Sequence, residues 1–75
     1  MERYANRGGE SGIDGYEIGN DFIKVKFSDG STYLYTYASA GAQNVEQMKK
    51  LAQDGEGLNA FINKNVRKAY ARKER

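Results

Sequence analysis

Two alternating runs on either side of an Asp-Gly turn, in the segment Phe22 to Tyr37 (FIKVKFSDGSTYLYTY), constrain the fold most strongly. Period-two alternation with β-branched and aromatic residues is typical of strands that bury one face. Gly30 supplies the positive φ that a tight turn between antiparallel strands requires. The segment therefore predicts a β-hairpin, and it indicates architecture much more clearly than function.

The length of the turn decides which way the tyrosines of this hairpin point. A two-residue loop would place them beside the lysines on an open platform, since directly opposed residues share a face. A three-residue loop, Ser28 to Gly30, pairs Phe27 with Ser31 and moves Tyr33, Tyr35 and Tyr37 into the core with Ile23 and Val25. We favour this second register because it separates apolar from polar residues more cleanly. The opposite face then holds Phe22, Lys24, Lys26, Thr32, Leu34 and Thr36.

The rest of the chain predicts one further strand and two helices. Ile13 to Ile18 is a short strand that precedes the hairpin. Asn44 at an N-cap and Gln47 at N3 resemble a capping box, and an apolar stripe follows, with Glu46 and Lys50 as an i,i+4 pair. After the stop at Gly55 and Gly57, a second helix runs from about Leu58 into the C-terminal tail. The fold class is α+β: a three-stranded antiparallel meander followed by two helices packed on one sheet face.

The expected domain organisation is simple. Residues 1–10 are polar and contain Gly8-Gly9, so they predict a flexible N-terminal tail. Residues 11–72 form one small domain, and residues 73–75 form a basic C-terminal tail. No apolar run approaches the length of a membrane span, and we expect a cytoplasmic protein without a membrane partner.

Composition argues against an enzyme. The 75 residues include no cysteine and no histidine, which removes the commonest zinc ligands and nucleophile–base arrangements. The close acidic pairs, Asp14 with Glu17 and Asp54 with Glu56, adjoin predicted turns or helix ends, where carboxylates usually cap backbone N–H groups. We expect no catalytic residues, no metal and no cofactor.

Charge is distributed unevenly along the chain. The net charge is +2, but the last twelve residues hold six basic side chains and one acidic one, whereas the preceding residues hold six basic and nine acidic ones. Such an asymmetry is the main clue to a partner.

The order and spacing of short motifs resemble a known family. They are Ser11-x-Ile13, Gly15-Tyr16-Glu17, Val25-x-Phe27, Asp29-Gly30, Tyr33-x-Tyr35, Leu51-Ala52, Gly57-Leu58-Asn59, Asn63, Val66-Arg67 and Tyr70. Over roughly residues 11–70 the chain resembles the KTSC domain, a module at the C-terminus of some lysyl-tRNA synthetases that also occurs as small stand-alone bacterial proteins. The resemblance implies Tyr33, Tyr35, Asn63, Arg67 and Tyr70 as motif residues, and RNA as a suggested partner. The chain departs from the family pattern in having no proline after Tyr35 and Asp54 where the family often has serine.

The resulting hypothesis is a binding module for RNA or another nucleic acid. Its phosphate contacts would come from Lys64, Arg67, Lys68, Arg72, Lys73 and Arg75, with Lys24 and Lys26 as a second contact. Base stacking would need an exposed aromatic ring, for which Phe22, Tyr4 and Tyr70 are available. Two alternatives stay open: the basic run is a solvated helix face with no ligand, or the module binds a protein through the open sheet face around Leu34. Arg67 also has an alternative, an ion pair with Glu17 that locks the second helix onto the sheet.

Overall fold

A computed structural model describes residues 1–7 and 12–74. Its sheet is antiparallel and follows the chain order, so each strand is bonded to the strands before and after it. The strands are β1 (Glu2–Arg3), β2 (Ile13–Ile18), β3 (Phe22–Phe27), β4 (Thr32–Thr36) and β5 (Arg72–Lys73). The helices are α1 (Tyr37–Ala40), α2 (Ala42–Asp54) and α3 (Leu58–Phe61), which continues as a π-helical segment (Ile62–Val66). The predicted α+β meander followed by helices is confirmed, with additional short strands at both edges.

The hairpin adopts the register that sequence patterning favoured. The Phe27 N–H donates to the Ser31 carbonyl over 2.8 Å, and Lys26 lies opposite Thr32. Gly30 has φ of 92°, a conformation that residues with a Cβ rarely adopt. The loop is therefore three residues long, and Tyr33 and Tyr35 share a face with the residues they oppose, Val25 and Ile23.

The core lies between one sheet face and the helices. From the sheet, Ile23 and Val25 are fully buried, and Tyr35 is 1% exposed. Across from them lie apolar side chains of α2, α3 and the π-helical segment, which recur at helical spacing: Val45, Met48, Ala52, Leu58, Ile62 and Val66. Both helical layers cover the same face, which leaves Lys24, Lys26 and Leu34 on the opposite one.

The entry into the helices differs from the prediction. The predicted capping box at Asn44 and Gln47 is wrong, because α2 already begins at Ala42 and the Asn44 amide donates to the Ala40 carbonyl over 2.8 Å. A reciprocal capping box instead precedes α1, where the Thr36 side chain accepts from the Ser39 N–H and the Ser39 side chain accepts from the Thr36 N–H. The third tyrosine of the ladder, Tyr37, therefore starts a helix instead of ending a strand.

One predicted ion pair forms with a different partner. Glu46 pairs with Lys49 over 2.7 Å, three residues on, and not with Lys50. The Tyr37 hydroxyl donates to the same carboxylate, and the Lys49 ammonium lies 5.6 Å from the centre of the Tyr37 ring. The group joins the first turn of α1 to α2.

The C-terminal residues do not continue the second helix. The prediction of a helix that runs into a basic tail is wrong for the last described residues, since the chain turns back after Val66 and adds β5 to the sheet edge. The Ala71 N–H donates to the Leu34 carbonyl over 2.6 Å, and the Glu74 N–H donates to the Thr32 carbonyl over 2.7 Å. Arg75 lies outside the described residues.

Part of the predicted N-terminal tail is packed against the domain. β1 pairs with β2, and Tyr4 is only 3% exposed. The Arg7 N–H donates to the Gly55 carbonyl over 2.7 Å, at the end of α2. A flexible tail is therefore wrong for residues 2–7, whereas Gly8-Gly9 and the rest of residues 8–11 lie outside the described part of the chain.

Candidate functional site

A cleft of about 470 Å³ lies between the tip of the β3–β4 hairpin and the end of the helical layer. The hairpin supplies one wall, with Phe27, Ser31, Tyr33 and Tyr35 among its residues. The other wall comes from the π-helical segment and the turn after it: Ile62, Asn63, Arg67, Lys68 and Tyr70. We refer to this space as the cleft. All five motif residues that the family resemblance implied, Tyr33, Tyr35, Asn63, Arg67 and Tyr70, line it.

Three tyrosine rings form the floor of the cleft through edge-to-face contacts. The centres of the Tyr33 and Tyr70 rings are 4.8 Å apart, and those of Tyr35 and Tyr70 are 6.4 Å apart. Such geometry places the electron-poor edge of one ring against the face of another. Phe27 extends the cluster, with its ring centre 5.6 Å from that of Tyr33.

The tyrosine rings differ in burial, and therefore in whether they can contact a ligand. Burial raises the pKa of Tyr35 to about 12, with smaller contributions from the neighbouring Tyr33 and Tyr70. Tyr35 is therefore a neutral core side chain near pH 7. Tyr70 is 37% exposed, so it offers ring surface to a ligand. Of the other aromatic residues proposed for stacking, Tyr4 is buried, and the Phe22 ring packs closely over Gly19.

The hairpin turn presents a fixed carboxylate at the rim of the cleft. One oxygen of Asp29, Oδ1, accepts the Ser31 N–H over 2.9 Å and the Ser31 hydroxyl over 2.6 Å. The Ser31 hydroxyl bond, then the backbone bond, and also the nearby charge of Lys73 lower the pKa of Asp29. The group is therefore an ionised acceptor near pH 7. Sequence reasoning read Asp29 only as a turn former; the serine two residues on was the available signal for a held carboxylate.

The helical wall carries three cations that we call the basic rim, namely Lys64, Arg67 and Lys68. All three are exposed, and Arg67 and Lys68 line the cleft. Within residues 1–7 and 12–74 none of their side chains takes part in an ion pair or hydrogen bond. Of the two alternatives for Arg67, the ion pair with Glu17 does not form, since Glu17 lies on the opposite face of the sheet beside Lys24.

The other predicted phosphate contacts are differently placed. Glu74 pairs with Lys24 over 3.3 Å and with Arg72 over 3.0 Å, so both cations have an acidic partner. Lys73 lies 5.7 Å from the centre of the Tyr33 ring, at the edge of the tyrosine cluster. Lys26 is exposed on the sheet face away from the helices. The structure thus brings Arg67 and Lys68 together with the motif tyrosines, with Lys73 at their edge. Lys64 lies on the adjoining π-helical segment, outside the cleft lining, and Lys24, Lys26 and Arg72 lie elsewhere.

Comparison with models of known protein families, with curated proteins and with solved structures finds no match for this chain. In the part of the chain that the structure describes, no group of three or more acidic side chains could hold a metal ion. A lipid bilayer would not be crossed by any of the described helices, because none combines the necessary length with an apolar surface.

Proposed function

We propose that this chain is a KTSC-like binding module for single-stranded RNA, with the nucleic acid lying across the cleft and the basic rim. Lys64, Arg67 and Lys68 contact phosphates, while Tyr70 provides the ring on which a base stacks. The observation that carries the proposal is the coincidence of unpaired cations with an exposed tyrosine at one cleft. Single-stranded RNA is recognised by this combination of a cationic track with aromatic stacking.

The arrangement argues for a ligand more strongly than the sequence did. A solvated helix face needs no aromatic neighbour, and cations placed for helix stability should lie along the last turn of a helix. Lys64 lies in that last turn and Arg67 is the C-cap residue, so their charge also suits the helix end. Arg67 and Lys68 in addition line a recess that contains tyrosines, which helix stability does not require. π-helical turns are often found at functional sites, where they change the direction of the side chains that follow.

The proposal predicts a specific salt dependence. Three phosphate contacts on a single strand give a slope of about −2 for log K against log salt, so affinity falls roughly 20-fold between about 50 and 200 mM salt. If all six basic residues from Lys64 onward made contacts, the slope would be about −4, and the loss roughly 300-fold. The measured slope of log K against log salt therefore gives the number of phosphate contacts.

The test is a titration of labelled single-stranded RNA, double-stranded RNA and single-stranded DNA of equal length across this salt range. The variant replaces Lys64, Arg67 and Lys68 with alanine. Its charge-matched control replaces Arg3, Lys26 and Lys50, which are exposed away from the cleft. We expect the first variant to abolish the salt-dependent binding and the control to retain most of it. Equal losses in both variants would show non-specific attraction, and no binding by the wild type at low salt would overturn the proposal.

Tyr70 allows a second, charge-neutral test of the same site. Stacking on an aromatic side chain contributes about 1–3 kcal/mol per base, so Tyr70→Ala should weaken binding by about fivefold or more. Tyr70→Phe keeps the ring and should bind like the wild type. Equal affinity of both variants would show that no base stacks on Tyr70.

The open sheet face offers less support for a protein partner. Leu34, the residue that suggested such a surface, is only half-exposed. Its neighbour across the strand pair is Arg72, which is held with Lys24 by Glu74. This face is therefore a charged surface with internal pairing, and not an apolar patch of the kind that marks protein interfaces.

A further inference from the structure

We propose that the cleft accepts a single guanine base and that Asp29 selects it. This inference rests on the proposed function in its RNA form, but it makes a separate claim about the chemistry of the ligand. It arises from the opposite charges of the two walls. The hairpin wall ends in the carboxylate of Asp29, whereas the helical wall carries Arg67 and Lys68.

The two walls require a ligand with hydrogen-bond donors at one end and negative charge at the other. An ionised carboxylate only accepts hydrogen bonds, and arginine and lysine only donate them. A nucleotide fits this demand, because its base edge carries N–H groups and its phosphate is anionic. The cleft volume of about 470 Å³ falls within the range of about 300–1,000 Å³ found for small-molecule sites.

The hydrogen bonds that Asp29 already accepts within the hairpin narrow the choice of base. A carboxylate has about four acceptor positions, two on each oxygen. Ser31 occupies two of them through its N–H and its hydroxyl, both on Oδ1. Oδ2 accepts no hydrogen bond from any other described residue. The two positions that remain lie on the same oxygen, so a base with two neighbouring donors would direct both of its N–H groups at Oδ2.

Guanine is the standard base that meets this condition. Its N1–H and its N2 amino group are adjacent donors on the Watson–Crick edge. Adenine and cytosine each place their amino group beside a ring nitrogen that accepts, and uracil flanks its single N–H with two carbonyl groups. In each of those three bases the edge that would meet the carboxylate contains at least one acceptor atom. The carboxylate, which only accepts hydrogen bonds, repels that atom. Bonds to a charged acceptor are also the stronger class of hydrogen bond.

The same turn holds the carboxylate in position before any ligand binds. Two hydrogen bonds from Ser31 restrain the Asp29 side chain, and the Gly30 N–H closes the turn on the Phe27 carbonyl over 3.0 Å. An acceptor that is already oriented loses less conformational entropy on binding. On the opposite side, the exposed ring of Tyr70 is available to stack on the base.

The experiment compares oligonucleotides that differ at one position. A short oligouridine carries a central guanine, adenine, cytosine or inosine, and binding is measured by fluorescence anisotropy at low salt. Good two-donor recognition of a base gives discrimination of about tenfold or more. We expect guanine to bind at least about tenfold more tightly than adenine or cytosine, with inosine, which lacks the N2 amino group, between them.

Asp29→Asn is the key variant, and Asp54→Asn is its charge-matched control on the exposed end of α2. The asparagine amide oxygen can still accept from Ser31, so the hairpin should be retained; the dispersion of amide NMR signals checks this. We expect Asp29→Asn to reduce the guanine preference to within about twofold while binding to oligouridine is kept. Asp54→Asn should keep the full preference.

Titration with guanosine monophosphate separates the two proposals. Equal affinity of the wild type for all four oligonucleotides would overturn guanine selection and leave the RNA module intact. An unchanged guanine preference in Asp29→Asn would also overturn it, because another group would then read the base.

The protein could bind the mononucleotide, with NMR shifts at Tyr70 and Asp29, and yet bind no oligonucleotide. That result would support a guanine cleft and refute the RNA module. No binding of either would refute both.

Discussion

Tyr4 provides the sharpest test of the packing of the N-terminal segment. Its ring is 3% exposed, and its hydroxyl accepts the N–H of Leu58 over 3.2 Å. Leu58 begins α3 behind Gly57, a residue that has no side chain to cap the helix. A tyrosine 54 residues away in sequence therefore supplies the acceptor that an N-cap side chain normally provides.

The expected loss in unfolding free energy depends on which interaction each substitution of Tyr4 removes. Tyr4→Phe keeps the ring but leaves the buried Leu58 N–H without an acceptor, which costs about 1–3 kcal/mol. Tyr4→Ala also removes a buried aromatic ring, for which losses of about 3–5 kcal/mol are usual. A domain of 75 residues has a total stability of roughly 4–11 kcal/mol. The alanine variant should therefore be close to unfolding, and the phenylalanine variant should melt roughly 4–24 °C lower.

The assay is urea denaturation followed by far-UV circular dichroism, together with thermal melting of the same proteins. Tyr70→Phe is the control, because the hydroxyl of Tyr70 forms no hydrogen bond within the described residues; its stability should change by less than about 0.5 kcal/mol. A loss below about 1 kcal/mol in Tyr4→Ala would refute the reasoning and return this segment to the flexible tail that the sequence predicted.

Three further predictions concern pH, backbone conformation and the open face. Because burial raises the pKa of Tyr35 to about 12 from 10.0, the folded state keeps a proton that the unfolded state loses. Stability should therefore fall between these pH values by up to about 2–3 kcal/mol; urea titrations should show a flatter profile in Tyr35→Phe, and equal slopes would contradict this. Gly55→Ala should destabilise more than Gly30→Ala when both are melted, since both glycines have positive φ, but only at Gly55 would a Cβ lie 2.5 Å from that of Ala5; equal losses would show that the segment around Ala5 is not packed there. Glu74→Gln should leave RNA affinity within about twofold in the same titration, whereas marked tightening would show that the cations it releases bind phosphate.

The central hairpin was predictable because several local signals agreed. The Asp29-Gly30 turn and the sorting of apolar from polar residues favoured one register, and the structure adopts it. The apolar stripe of α2 gave a helix for the same reason, although its start was misplaced. The cap was missed because Thr36 and Ser39 form a box with serine in the position where glutamate or glutamine is the usual signal.

The edge strands could not be read from the sequence. β1 and β5 contain two residues each, which is too short for any alternation to be visible. Both depend on contacts with residues far along the chain, and such contacts leave no local pattern. The same limit affected the site: only the pairing of β5 with β4 brings Glu74 to Lys24 and removes that cation from the predicted phosphate contacts.

The convergence of the motif residues was only partly predictable. The predicted second helix contained Asn63 and Arg67, and the hairpin register placed Tyr33 with Tyr35. That the two groups meet at one cleft depends on how the π-helical segment crosses the sheet. The role of Asp29 was hidden for a different reason, because its sequence context is fully explained by the turn.

The short outer strands also bear on how this protein avoids self-association. An unpaired strand edge is a template on which another chain can polymerise. Here each edge is two residues long, and three of the four edge residues are arginine or lysine. Detachment of either end would expose a much longer strand, Ile13–Ile18 or Thr32–Thr36, whose backbone could then recruit a second molecule. β1 and β5 therefore protect the sheet edges from pairing with another molecule. Conditions that detach these strands should produce oligomers before they produce unfolded monomers.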